Sequence, residues 1–482
     1  MIVQIVLVIV TAVQVNSQQL CPSVCKCDDD LTTCTNLFSD VTNMTQETFD
    51  SALTSLEVSG NTRLELEEDL FLRWNITSLI SLHLSENNIT KIWQRAFYSL
   101  VELEELDLSG NRITTLDSQV FSYNTRLHWL SLAKNSITNI QPSVFQENVM
   151  LKDMYMNGNK LISLHPDLFK NNVELEWVML AENRITDIHP STFRSNSRLR
   201  HLDISRNKIT SLNPDTFIHN KNLTTLYLKG NTITEISNSS FRGLEQLEVL
   251  DLSNNNIQEL NPLVFHNTLN STNRQNNQPS KLKHLNLAQN MIRSFNFELY
   301  FPVYSNSDSS NPTFQLDYLN LSSNRLTTLD VASVKWLNQT TTVTDLTANP
   351  WNCDCSVLLE VWRGLKHKPH LHCASPIELQ GKPWNVMEVF CSLVGGPSVV
   401  TTTLIVIGVL LLCAVGGGLI LAKVVKRRRN RPKSPEYCDV YPPRETRISL
   451  HLYAEIGAGS SQITDQSYAD VGKRPSYIAV QS

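Results

Sequence analysis

The 482-residue sequence predicts an α/β-type leucine-rich-repeat solenoid, with a parallel sheet on its concave side and an irregular convex side. Three observations predict it. Asn87, Asn111, Asn135, Asn159, Asn183, Asn207, Asn231 and Asn255 follow one another at steps of 24 residues. The pattern L-x-x-L-x-L-x-x-N-x-[IL] surrounds them, as in Leu103, Leu106, Leu108, Asn111, Ile113 and in Leu199, Leu202, Ile204, Asn207, Ile209. Ten residues after each of the eight asparagines stands a phenylalanine: Phe97, Phe121, Phe145, Phe169, Phe193, Phe217, Phe241 and Phe265.

Each letter has a physical role. The x-L-x-L-x stretch alternates with period two and reads as a short strand, leucines inward and x residues outward. One turn of chain cannot bury its leucines alone, but stacked turns share a continuous core. The asparagine amide offers donors and an acceptor, so a column of them satisfies the backbone where each turn bends. The phenylalanine fills the convex side. Further turns fit at Leu53, Leu56, Val58, Asn61, at Leu282, Leu285, Leu287, Asn290 and at Leu316, Leu319, Leu321, Asn324. A degraded last turn keeps Leu346 and Asn349, which makes about twelve repeats over residues 51–350. Two longer steps, of 35 and 34 residues, enclose Asn/Ser-rich stretches that read as extruded loops.

An open solenoid needs caps at both ends. Eight of the ten cysteines flank the array in two groups: Cys21, Cys25, Cys27 and Cys34 before it, Cys353, Cys355, Cys373 and Cys391 after it. Even clusters in an exported segment predict disulfide caps over residues 18–50 and 351–392. Zinc is the rival for C-x-C spacing, disfavoured by an oxidising compartment and by the lack of metal-type histidine spacing. No cofactor is expected.

Residues 1–17 form an apolar run ending Val15-Asn16-Ser17 and read as a signal peptide. Residues 399–422 are uncharged and long enough to span a bilayer, after a short stalk at 393–398. Lys423 and the cluster Lys426-Arg427-Arg428-Arg429 follow at once, which places residues 423–482 in the cytoplasm as a disordered tail. That tail carries +5, which leaves −10 for the rest of the chain. An acidic outer part disfavours nucleic acid as a partner.

Cys21-Pro22-x-x-Cys25-x-Cys27, Asn349-Pro350-Trp351-x-Cys353-Asp354-Cys355, Trp362 and Cys373-Ala374-Ser375-Pro376 together resemble the cysteine caps of animal extracellular leucine-rich-repeat receptors and adhesion proteins. That family includes Toll ectodomains, connectin and capricious. The resemblance covers roughly residues 20–392. It implies the pairs Cys21–Cys27, Cys25–Cys34, Cys353–Cys373 and Cys355–Cys391, and a protein ligand at the cell surface. The 60-residue tail is too short for a Toll-type signalling domain.

The outward x residues locate a candidate ligand-binding site in the middle turns: Trp129, then Asp153 and Tyr155, then Trp177 and Met179, then His201 and Asp203, then Tyr227. Aromatic residues of this kind supply binding hot spots. Glycosylation sequons stand at Asn43, Asn75, Asn88, Asn222, Asn238, Asn270, Asn320 and Asn338, and none falls between Asn88 and Asn222. Tail tyrosines Tyr437, Tyr453, Tyr468 and Tyr477 each carry Val or Ile three residues on. Phosphorylated, they suit phosphotyrosine-binding adaptors; unphosphorylated, they resemble clathrin-adaptor signals. No catalytic motif is present. The sequence therefore predicts a plasma-membrane receptor or adhesion protein, or alternatively a co-receptor or trafficking regulator internalised through those tyrosines.

Overall fold

The computed structural model describes residues 25–27, 31–35, 49, 52–61, 64–238, 240–261, 264–265, 281–297, 316–365, 370–387 and 391. The expected signal peptide, stalk, membrane helix and tail lie outside these residues, as do Cys21, Asn43, Asn270, Tyr437, Tyr453, Tyr468 and Tyr477. Among the described residues, no helix is long and apolar enough to cross a membrane.

One fourteen-stranded sheet organises the chain. It opens with an antiparallel hairpin, β1 (Cys25–Cys27) and β2 (Thr32–Thr35), whose register sets Cys25 opposite Cys34. Parallel strands follow: β3 (Ser55–Ser59), β4 (Ser81–His83), β5 (Glu105–Asp107), β6 (Trp129–Ser131), β7 (Asp153–Tyr155), β8 (Trp177–Met179) and β9 (His201–Asp203). Between them and the next strands lies β10 (Ser211–Leu212), which pairs instead with β12 (Glu235–Ile236) in a separate two-stranded sheet. The main sheet continues through β11 (Thr225–Tyr227), β13 (Val249–Asp251), β14 (His284–Asn286), β15 (Leu316–Asn320) and β16 (Thr341–Asp345). Registers advance by whole repeats, so Leu130 meets Met154 and Leu202 meets Leu226. From Leu56 on β3 to Leu319 on β15 the aligned residue of each strand in this sheet is a buried leucine-type residue, and Thr32 on β2, opposite Leu56, and Thr344 on β16, opposite Leu319, bound that column.

Two columns hold the turns together. In the first, Asn135 Nδ2 donates to the Leu108 carbonyl of the turn before (2.9 Å) and to Leu132 of its own turn (3.1 Å). Its Oδ1 accepts from the Ile113 amide at 3.0 Å. The same set recurs around Asn159, Asn207 and Asn255. The second is a spine of phenylalanines, each fully buried, stacked at centroid distances of 5.7–6.5 Å from Phe97 to Phe193. Phe71, ten residues after Asn61, extends the spine by one ring, 6.0 Å from Phe97. Burying one such ring contributes about 2–3 kcal/mol.

A third column was not foreseen. Asn124, Asn148, Asn172, Asn196 and Asn220 stand three residues after the spine phenylalanines and are almost fully buried. Asn148 Nδ2 donates to Phe121 O (3.0 Å) and Asn124 O (2.9 Å), so each amide reaches back to the previous turn.

The far end is closed by two helices, α2 (Val331–Thr340) and α3 (Cys355–Gly364), after a short α1 (Leu70–Arg73) near the start. A short parallel pair, β17 (Trp351–Asn352) and β18 (Cys373–Ser375), joins them. Trp351, Trp362 and Trp384 are buried there and meet edge to face, with centroids 5.6 and 5.9 Å apart. The disulfides Cys25–Cys34, Cys353–Cys373 and Cys355–Cys391 are formed as the resemblance implied. Cys27 is also disulfide-bonded, while Cys21 lies outside the described residues.

Candidate functional site: the concave face of the middle turns

Two residues per strand face outward on the concave side, for instance Trp129 and Ser131 on β6, which flank buried Leu130. Strand register aligns these positions into two columns. In one, Ser131, Tyr155, Met179, Asp203, Tyr227 and Asp251 succeed one another. In the other run Trp129, Asp153, Trp177, His201 and Thr225.

The first column has a framework preference. Where it holds Asp or Asn, the side chain accepts from the backbone amide two residues on: Asp107 from Ser109 (2.8 Å), Asp203 from Ser205 (2.8 Å), Asp251 from Ser253 (2.8 Å), Asn286 from Ala288 (3.1 Å), Asn320 from Ser322 (2.9 Å) and Asp345 from Thr347 (2.9 Å). This is an Asx turn closing the strand end. Tyr155, Met179 and Tyr227 give up that bond in the middle of the array, where they place large side chains on the surface instead.

The rings associate. Trp129 and Tyr155 lie 5.4 Å apart, tilted 44°. Trp177 and His201 stack at 3.5 Å and 16°. His83, which sequence reading missed, joins at the other side, 6.5 Å from Trp129. Its signal was available: it occupies the outward position of β4 in the same repeat register.

The expected site residues divide by accessibility. Trp177 (39% exposed) and Tyr227 (36%) present most surface. Trp129, Asp153, Tyr155, Met179 and His201 are half-buried. The aromatic patch is thus less exposed than outward alternation implies, because rings one or two turns apart pack on each other. Asp203 corrects the expectation outright: it faces the concave side yet is 1% exposed. Met179 and Tyr227 flank it in register, and its carboxylate is spent on the strand-end turn. It is a framework residue, not a contact.

Electrostatics follow from this packing. Burial, reinforced by the neighbouring Arg200 cation, lowers the His201 pKa to about 4. His83 moves the other way: Asp107 beside it, 4.0 Å away, raises it against the effect of burial. Burial opposes ionisation of Asp107, but bonds from His83 and Ser109 hold its carboxyl below the usual range. Tyr227 is raised by burial and by Asp203 and Asp251. Across both columns from β3 to β16 there are acids, Glu57, Glu105, Asp107, Asp153, Asp203, Asp251 and Asp345, and neither Lys nor Arg. Among the described residues, no group of histidine, cysteine or acidic side chains is arranged to hold a metal ion.

Of the sequons, Asn75, Asn222 and Asn238 are exposed, while Asn88, Asn320 and Asn338 are half-buried. Asn320 sits at the outward position of β15, where its Nδ2 donates to the Tyr318 hydroxyl at 2.8 Å.

Residues 51–113, 77–135, 103–161, 125–178, 173–233 and 221–272 match the leucine rich repeat family model. The class is therefore a leucine-rich-repeat solenoid with disulfide-bonded ends. No curated protein sequence matches the chain. The fold is similar to a chain of the Toll–Spatzle complex of Drosophila (24% identity, TM-score 0.54, 69% of this chain and 51% of that one). It is similar to the TLR13–ssRNA13 complex (24%, 0.51, 68% and 48%) and to the Latrophilin 3, Unc5D and FLRT2 complex (20%, 0.51, 76% and 97%). The chain spans about half the length of the first two.

Proposed function

We propose that this protein is a cell-surface receptor or adhesion protein that binds a protein ligand on the concave middle turns. One observation carries the reading: Tyr155, Met179 and Tyr227 replace the strand-closing Asx residue where Trp129, Trp177 and His201 stand in the neighbouring column. Framework bonds are given up there for contact area, as at binding hot spots. Acidic residues without a cation along both columns fit a partner with basic and apolar surface, and oppose a polyanion. Similar folds occur in complexes of both kinds, Toll with Spatzle and TLR13 with single-stranded RNA, and the acidic columns favour the protein over the RNA. Disulfide bonds at both ends suit an oxidising, extracellular setting. The apolar run 399–422 would anchor the chain, and Tyr437, Tyr453, Tyr468 and Tyr477 would recruit phosphotyrosine-binding or clathrin adaptors inside. The protein acts as a binder and not as an enzyme.

The test displays the full chain on cells and probes it with a panel of secreted and cell-surface proteins as Fc fusions, with single-stranded RNA alongside. A protein binder lost at least tenfold with Trp177→Ala and Tyr155→Ala, but retained with Glu235→Ala on β12, supports the reading. Binders indifferent to both aromatic changes, or RNA as the sole ligand, refute it.

A further inference from the structure

A second surface lies on the flank that leads into the strands, away from the concave columns. After the spine phenylalanines from Phe121 to Phe217 the chain runs F-x-x-N and then passes through two residues to the next core leucine, as in Phe145, Asn148, Val149-Met150, Leu151. The buried asparagines from Asn124 to Asn220 tie these turns to one another, so the flank is held in register. Val101, Val149, Met150 and Val173 are 45–49% exposed on it and form an apolar stripe.

The charges beside that stripe have an order. One column reads Glu102, Arg126, Met150, Glu174, Arg198: acid, base, apolar, acid, base. Within the chain Arg126 pairs with Glu102, and Arg198 with Glu174. Reversed end to end, the column is complementary to itself at every position. The neighbouring column, Glu104, His128, Lys152, Glu176, Arg200, repeats the property on reversal, with Glu104 opposite Arg200 and His128 opposite Glu176. Lys152, level with Met150, meets its own copy, and its exposed flexible side chain can turn to solvent.

We propose that this flank is the contact between two copies of the chain, docked antiparallel about a two-fold axis through Met150. Arg126 then faces the partner's Glu174, and Glu102 faces the partner's Arg198. Two in-chain ion pairs close into one ring of four charges on each side of the axis. Val149 and Met150 meet their own counterparts at the centre, as an isologous interface requires. A parallel pair would set every charge against its like, so the column also fixes direction. The antiparallel pair puts the two C-terminal caps at opposite ends. No sequon falls within the stripe; Asn222 stands one turn beyond Arg198 in the same column and bounds it. Four repeat steps of ~4.8 Å make a patch ~19 Å long. An interface that small belongs to the weak, reversible class, so the dimer dissociates in the micromolar range or above.

The experiment uses the full chain on cells. Met150→Cys, a residue on the axis, gives a reducible dimer band on mild oxidation, well above Glu235→Cys on the opposite side. A charge-inverted chain (E102R, R126E, E174R and R198E together) keeps both in-chain pairs and self-complementarity. Two differently tagged copies, normalised to surface amount, are then captured on one another. Wild type captures wild type, inverted captures inverted, and mixed capture falls at least tenfold. Equal capture in all three pairings, loss of inverted self-capture, or no Met150→Cys band above the Glu235→Cys control overturns the proposal.

Discussion

His201 lies flat on Trp177, ring centroids 3.5 Å apart and planes 16° from parallel. The stack removes the imidazole from water, which together with Arg200 brings its pKa down to about 4. The unfolded histidine titrates near ~6.5. Between those values the unfolded chain takes a proton that the folded chain refuses. Stability from this group therefore declines as pH falls from about 6.5 to about 4 and is constant outside that window. A protonated imidazole quenches an indole in contact with it. Trp177 fluorescence should accordingly drop with a midpoint near 4, and Trp177→Phe should abolish the transition. A midpoint at the ordinary histidine value would contradict the stack.

His83 should behave in the opposite sense. Asp107 holds its pKa above 6.5, so its stabilising contribution is full below that value and is lost as pH rises through the folded one. Asp107→Asn should bring the His83 titration, followed by proton NMR, back toward or below 6.5. An unchanged midpoint would mean that Asp107 is not the cause.

The asparagine columns predict graded costs. Asn159→Ala removes two bonds to carbonyls, Leu132 and Met156, and the acceptor for the Ile137 amide. The Leu132 and Met156 carbonyls keep bonds from Asn135 and Asn183, so the Ile137 amide is the group left unpaired, at about 1–3 kcal/mol. Asn148→Ala takes one of two bonds from the Phe121 and Asn124 carbonyls, which keep the backbone amides of Asn124 and Leu127. Urea unfolding should show the larger loss for Asn159→Ala, roughly 2–4 kcal/mol against about 1–2. The reverse order would mean that the second column matters more than its bonds indicate.

Why that second column escaped the sequence is instructive. Leucines, the Asn87–Asn255 series and the phenylalanines are legible because hydrophobic periodicity and exact spacing reinforce one another. Asn124 to Asn220 repeat at the same step, but an isolated polar residue after an aromatic reads as an exposed turn until its burial is known. Asp203 failed for a related reason. Alternation places it outward, yet only the three-dimensional neighbours Met179 and Tyr227 show that outward is not exposed. Ring contacts such as His83 with Trp129 span two turns, so no pattern within one repeat announces them.

The two C-terminal disulfides should differ in weight. Cys355–Cys391 closes 36 residues and Cys353–Cys373 closes 20. Loop-closure entropy gives about 3.8 and 3.3 kcal/mol respectively. Replacing both cysteines of a pair by serine should destabilise the cap by these amounts, slightly more for the longer loop. Limited proteolysis near Trp384 reads the opening locally. A cap equally resistant in both variants would show that the Trp351–Trp384–Trp362 cluster suffices without them.

Gly243 marks where the second asparagine column ends, since the next residue is buried Leu244 and not asparagine. Its φ is +91°, and a Cβ there would stand 2.5 Å from the Ile218 carbonyl oxygen and 2.7 Å from its Cα. Both obstacles are backbone in the adjacent turn, so neither can rotate away. Gly243→Ala should therefore cost ~2–4 kcal/mol, combining left-handed strain with a forced shift between turns. Gly158 supplies the control. Its φ is +71°, but Lys134 and Glu182 adopt the same left-handed conformation at the equivalent positions one turn either side. Its Cβ would meet Lys134 no closer than 3.3 Å. Gly158→Asn should lose ~1 kcal/mol or less, because asparagine tolerates that region. Thermal unfolding of the two variants side by side separates conformational strain from collision. Equal losses would mean that positive φ alone, and not the approach of Ile218, sets the requirement for glycine.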